Sequence, residues 1–205
     1  MIATEWLNAA DPHPMLEFLR GKASDRKLRL FAVACSRRIW SVIDDLGRAA
    51  VEAAENFADG HIGSDELRAA RLACQGAGGQ ASWYAAATNP EIAARNAARS
   101  AQAGVANNPL RGTEAGELLA QAALVREVFG THPFSAITVD PVWLTPTVVQ
   151  LAQTIYNDGA FERMPELADA LHESACVDEE ILSHCREAGP HVRGCWVLDL
   201  VVDKA

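Results

Sequence analysis

The sequence has little of what membrane and secreted proteins need. No apolar run approaches the roughly 18 residues that span a bilayer. Around Glu5 and Asp11 there is no basic segment followed by an apolar signal-peptide core. The five cysteines are an odd number spread widely along the chain, which argues against a disulfide framework. We therefore expect a cytoplasmic protein with reduced thiols and no contact with a membrane.

The sequence also lacks the short motifs that identify common enzymes. It contains no phosphate-binding loop, no dinucleotide-binding fingerprint, no HExxH zinc-protease helix and no nucleophile elbow. The net charge of −9 disfavours non-specific binding to nucleic acid. These absences favour a protein without enzymatic activity or cofactor, which acts as a structural module or binds another protein.

What the sequence does have is helical periodicity over most of its length. Segments with apolar residues every three or four positions are separated by Gly, Pro and Asn. This pattern predicts an all-α fold of about nine helices in a single compact domain, 1–205. The longest non-helical connection, 131–144, is the best candidate for a boundary between two lobes. For the last element, 192–202, the pattern fits a strand or a buried helix, and we predict a helix.

The segment 24–43 is predicted to form the central, buried helix of this fold. Ser24 is a good N-cap, and Asp25 places a negative charge at the positive end of the helix dipole. Apolar residues occupy nearly every side of the segment, and a helix of this kind is usually covered by neighbours on several sides.

A cluster of basic residues lies in and just before this helix. Positions 20–38 hold seven arginines and lysines against a single acid, Asp25. One interpretation is a surface that binds a phosphate or an acidic partner. The candidate residues for that surface are Arg26, Arg29, Arg37 and Arg38. The alternative is that these side chains pair with the chain's own acids and lay their stems along the core, because they do not share one helix face.

Histidines and cysteines are concentrated near the C-terminal end of the sequence. His172 and Cys176 are four residues apart, and so are His191 and Cys195. On helices, each pair would share one face. Two such pairs would supply the Cys2His2 ligand set of a structural zinc site. The sequence therefore offers these four residues as candidate metal ligands.

His184 and Cys185 are adjacent, so they point in different directions and could not both bind one ion from a regular helix. Two other interpretations of this region stay open. The cysteines can be ordinary core residues, which need no metal. A thiol or metal-dependent hydrolase is a further alternative, although nothing in the sequence directs a base toward Cys185 or Cys35.

Three stretches of the sequence resemble a known protein family. Positions 6–32 contain PMLEFLRGKASDRKLRLFA, positions 143–149 read WLTPTVV and positions 189–200 read GPHVRGCWVLDL. They are similar to a heavily duplicated family of small helical proteins in planctomycete-type bacteria, and the resemblance covers almost the whole chain. It implies a bacterial origin and no particular activity. Family members are richer in cysteine around Cys35, where this chain reads VACS, and this difference argues against a metal at the central helix.

Overall fold

A computed structural model describes residues 1–76, 80–107, 112–130 and 138–204. Within these ranges the fold is all-α, as predicted, and no residue lies in a β-strand. Nine of the helices found there have eight or more residues, which agrees with the predicted number. The helices are α1 (Ala3–Asn8), α2 (Pro12–Leu19), α3 (Asp25–Arg38), α4 (Asp45–Ala58), α5 (Ser64–Ala73), α6 (Gln80–Ala85), α7 (Pro90–Ala106), α8 (Glu114–Phe129), α9 (Pro146–Asp158), α10 (Met164–Glu173), α11 (Glu179–Arg186) and α12 (Trp196–Val201).

Side-chain caps fix where several of these helices begin. Ser24 accepts a hydrogen bond from the backbone N–H of Lys27, as predicted for the start of α3. Asn89 and Thr145 cap α7 and α9 in the same way, and each is followed by a proline at the first helical position. None of the described helices combines the length and the apolar character needed to cross a bilayer.

The internal contacts divide the chain into unit 1 (Met1–Arg126) and unit 2 (Glu127–Ala205). The last residues of α8 belong to unit 2. The sequence predicts a single domain with a possible lobe boundary at 131–144. Since 131–137 lie outside the described residues, that boundary stays a prediction.

Helix α3 lies at the centre of unit 1. It packs against α4, α6 and α7, and its residues 28–36 are all buried. The core beside α3 is rich in alanine, and such small side chains let helices approach closely. The predicted helix 24–43 is helical in two pieces, because α3 ends at Arg38 and a turn of 3-10 helix (Trp40–Val42) follows.

Unit 2 has its own core, formed mainly by α9, α10, α11 and α12. The last element is a helix, as predicted, but α12 begins at Trp196 rather than at Val192. Gly194 has a φ of +93°, a left-handed conformation that a regular helix cannot contain. Cys195 is consequently the N-cap residue of α12, and His191 lies in the loop that precedes it.

Candidate metal centre

Four side chains of unit 2 bring metal-binding atoms together. They belong to Glu127, His184, His191 and Cys195, and one ligand atom from each lies within 4.8 Å of those from the other three. Glu127, His184 and Cys195 are buried, and the side chain of His191 is only 6% exposed. The ligand atoms therefore meet in a place largely shielded from water.

Local structure places each of these side chains. Glu127 lies in the last turn of α8, and His184 lies on the buried side of α11. His191 and Cys195 come from the loop between α11 and α12. In that loop the backbone N–H of His191 donates to the carbonyl of Gly189 over 2.9 Å. The N–H of Cys195 donates to the carbonyl of Val192 over 2.9 Å, which turns the chain toward α12.

Three distances between candidate ligand atoms are close to those around a tetrahedral ion. His184 Nε2 lies 3.2 Å from Cys195 Sγ and 3.3 Å from Glu127 Oε2. His191 Nδ1 lies 3.1 Å from Glu127 Oε1. Zinc bonds of about 2.0–2.3 Å in a tetrahedron place neighbouring ligand atoms about 3.3–3.7 Å apart. The three distances are close to this spacing and involve both oxygens of Glu127, and one ligand atom from each of the four residues lies within 4.8 Å of the others, so the side chains must move closer together to bind one ion.

A backbone contact decides which nitrogen of His191 faces the centre. His191 Nε2 lies 3.1 Å from the carbonyl oxygen of Glu187. A carbonyl only accepts hydrogen bonds, so Nε2 carries a hydrogen and Nδ1 faces the other ligands. Metal-binding histidines usually donate their second N–H to a carbonyl or a carboxylate in this way.

Aromatic rings surround His184. Its ring centroid lies 5.0 Å from that of His191 in an edge-on arrangement and 5.1 Å from that of Trp196. The imidazole of His184 therefore packs against two other rings of unit 2.

Burial and the charge of Glu127 shift the pKa values of Cys195, His184 and His191. Burial raises the pKa of the Cys195 thiol well above its usual value, and the charge of Glu127 adds to the rise, while the backbone N–H of Leu198 acts in the opposite direction. Burial lowers the pKa of His184 and outweighs the charge of Glu127. For His191, burial also acts to lower the pKa, but the hydrogen bonds to Glu127 and to the Glu187 carbonyl, together with the charges of these two acids, outweigh it, so the pKa is raised. A divalent ion would offset the charge of Glu127 and favour the thiolate of Cys195.

The structure brings together two of the four ligands predicted from sequence. His191 and Cys195 belong to the group, although they meet in a loop and not on one helix face. His172 lies exposed near the end of α10, and Cys176 is buried in the core of unit 2, so neither belongs to the group.

The spacing of histidines and cysteines in the sequence does not identify Glu127, and it does not place His184 in the predicted ligand set. One feature of the sequence could have identified Glu127 as a functional residue. It is an acid in an apolar stretch, at the end of a helix where the dipole disfavours negative charge. His184 could not be selected from the sequence, because Cys185 is adjacent to it and the sequence does not show which of the two side chains faces the other candidate ligands.

Two other buried thiols, those of Cys185 and Cys35, do not have the lowered pKa of a nucleophilic cysteine. Burial raises the pKa of Cys185 to about 12 and that of Cys35 well above its usual value. Reactive cysteines have lowered pKa values, because the thiolate is the attacking species. Both shifts are typical of thiols buried in a core, and the thiol-enzyme alternative stays a prediction.

The predicted partner-binding arginines have contacts inside unit 1. Arg29 is buried, and its guanidinium donates to the carbonyls of Ala85, Ala87 and Thr88 at 3.1, 2.7 and 3.2 Å. The other three make ion pairs with acids of the same unit. The pairs are Arg26–Asp59, Arg37–Glu55 and Arg38–Glu117, with N–O distances of 3.1, 2.6 and 2.8 Å. These contacts support the architectural alternative, and partner binding by these residues stays a prediction.

Comparison of the chain with protein-family models, with curated proteins and with solved structures gives no match. The resemblance to a planctomycete-type family therefore stays a prediction.

Proposed function

We propose that the protein is a zinc-binding helical domain, in which one structural ion stabilises unit 2. The ligands are Glu127, His184, His191 and Cys195. The observation that supports this proposal is the mutual proximity of one ligand atom from each of these four residues, at a shielded position.

The types of ligand favour zinc over other common ions. Calcium and magnesium prefer sites made of oxygen atoms, and they seldom bind sulfur or imidazole. One thiolate, two imidazoles and one carboxylate form a mixed set that zinc accepts in tetrahedral geometry. Zinc is therefore the ion that we assign to the centre.

The number of ligands favours a structural role. Catalytic zinc sites keep a position open for water or substrate, usually with three protein ligands, whereas structural sites have four. This centre offers four, and three of them are buried. We accordingly propose a non-enzymatic module. We place it in the cytoplasm, where its five free, buried cysteines would stay reduced.

The direct test is the metal content of untagged protein purified without a chelator. We expect about one zinc per chain, because the four groups form a single site. Cys195→Ala and His184→Ala should lose the zinc, while His172→Ala and Cys176→Ala should keep it. Wild-type protein that stays free of zinc after reconstitution would refute the proposal. Loss of zinc on changing His172 or Cys176, with Cys195→Ala unaffected, would refute this ligand set.

We expect zinc affinity to depend more steeply on pH below the pKa of His191 than above it. Cys195, with its raised pKa, must release a proton whenever zinc binds in the neutral range. His184, with its lowered pKa, has none to release there, and His191 releases one only below its own raised pKa. The logarithm of the association constant should therefore rise with pH with a slope of about two below the pKa of His191 and about one above it.

Competition with a chromophoric chelator, repeated across the neutral pH range, measures this slope. The chelator's own protonation is corrected from a parallel titration without protein. An affinity that does not change with pH would contradict a site that contains the Cys195 thiolate.

A further inference from the structure

We infer that Arg193 is a positioning residue for the metal centre, an inference that rests on the zinc-binding function proposed above. Arg193 lies in the loop between α11 and α12, two residues after His191 and two before Cys195. A displacement of Arg193 would consequently move both of these ligands together.

The guanidinium of Arg193 attaches the loop to the end of α9. Its Nη2 donates to the carbonyl of Tyr156 over 3.1 Å and to that of Asn157 over 3.2 Å. The guanidinium carbon also lies 5.1 Å from the centre of the Tyr156 ring. The last carbonyls of a helix have no partner within the helix and form the negative end of its dipole. A planar cation with several N–H groups is well suited to them.

The C-terminal end of α9 is held in place by core packing and by a backbone hydrogen bond. Tyr156 is only 2% exposed and belongs to the core of unit 2. Gly159 follows with a φ of +67°, and its N–H bonds the carbonyl of Ile155, which closes the helix. Arg193 therefore connects the loop to a part of unit 2 that packing and backbone hydrogen bonds already hold in place.

The loop ligands depend on such a connection more than the helical ligands do. Glu127 and His184 lie on helices α8 and α11, whose backbones hold their positions. His191 and Cys195 lie outside regular helix, in a loop whose own backbone bonds span two and three residues. Metal ligands must be held to within about 0.5 Å of their working geometry. Losing the residues that orient ligands typically weakens metal affinity about 10–100-fold.

The test compares two arginines at the same distance in sequence from a ligand. Arg193 is two residues from His191, and Arg186 is two residues from His184. Arg186 is half-exposed, and its ion pair with the exposed Asp169 is 3.7 Å long. We expect Arg193→Met to raise the zinc dissociation constant about 10–100-fold and Arg193→Lys to raise it less. Arg186→Met should leave it within about twofold of the wild type, since a weak exposed pair contributes little.

Two further readouts separate positioning from general stability. The absorption spectrum of the cobalt-substituted protein reports ligand geometry and should change in Arg193→Met but not in Arg186→Met. Thermal melts in chelator report the stability of the metal-free fold. Unchanged zinc affinity and an unchanged cobalt spectrum in folded Arg193→Met would overturn the inference, even if that variant melts earlier. Wild-type protein without zinc would instead overturn the proposed function itself.

Discussion

Removing the zinc with a chelator is expected to lower the melting temperature of the protein by about 10 °C. A ligand present at about a thousand times its dissociation constant stabilises the folded state by about 4 kcal/mol. For a chain of 205 residues, each kcal/mol corresponds to roughly 2–4 °C. Calorimetry with and without EDTA measures the shift.

Chelation should destabilise unit 2 without abolishing its fold. Small zinc fingers unfold when the metal leaves, because they have almost no core of their own. Unit 2 has seventeen buried core residues contributed by several helices, so burial of apolar surface remains after the ion is lost. Far-UV circular dichroism at low temperature should consequently show a largely helical protein in EDTA.

Cys185→Ala is the matched control for Cys195→Ala. Both substitutions remove one buried thiol from the same core, so both lower the stability of the metal-free protein through a small cavity. Only Cys195 belongs to the metal-binding group. The downward shift of the melt on adding EDTA should persist in Cys185→Ala and disappear in Cys195→Ala. An equal shift in the two variants, or none in the wild type, would contradict the structural zinc.

Helix boundaries could largely be predicted from the sequence because they depend on local interactions. Ser24 and Thr145 cap their helices through hydrogen bonds to residues three positions away, and such spacing is visible in the sequence. The start of α12 could not be predicted from apolar periodicity, since Val192 and Cys195 fit a helical pattern as well as Trp196 does. The positive φ of Gly194 breaks that pattern.

The members of the candidate metal-binding group could be predicted only in part from the sequence, because they meet through tertiary structure. Spacing along the chain identified His191 and Cys195 on the assumption of a shared helix, and a turn brings them together instead. Glu127 is remote in sequence from the other three ligands, and the chain has 27 acidic residues from which to choose. The helix packing within unit 2 selects the one that meets the histidines.

The second large effect is expected at the C-terminal end of α3, where Arg38 binds a buried acid. Glu117 is 4% exposed, and Arg38 donates to both of its oxygens over 2.8–3.0 Å. Gln121 donates to the same carboxylate over 2.8 Å. Removing one partner of a buried ion pair costs about 3–5 kcal/mol, because the other charge stays buried without compensation. Since Arg38 is 34% exposed, water reaches the gap, and we expect Arg38→Ala to lose about 3 kcal/mol.

The adjacent Arg37 is the control for this prediction. It pairs with Glu55 but is 41% exposed, and such pairs contribute at most about 1 kcal/mol. Urea denaturation of Arg37→Ala and Arg38→Ala should therefore give clearly different losses. Adding Glu117→Gln to Arg38→Ala should recover part of the larger loss, because the buried charge is then gone. Equal small losses, with no recovery in the double variant, would mean that the basic residues of α3 do little for the fold, and would favour the alternative that they bind a partner.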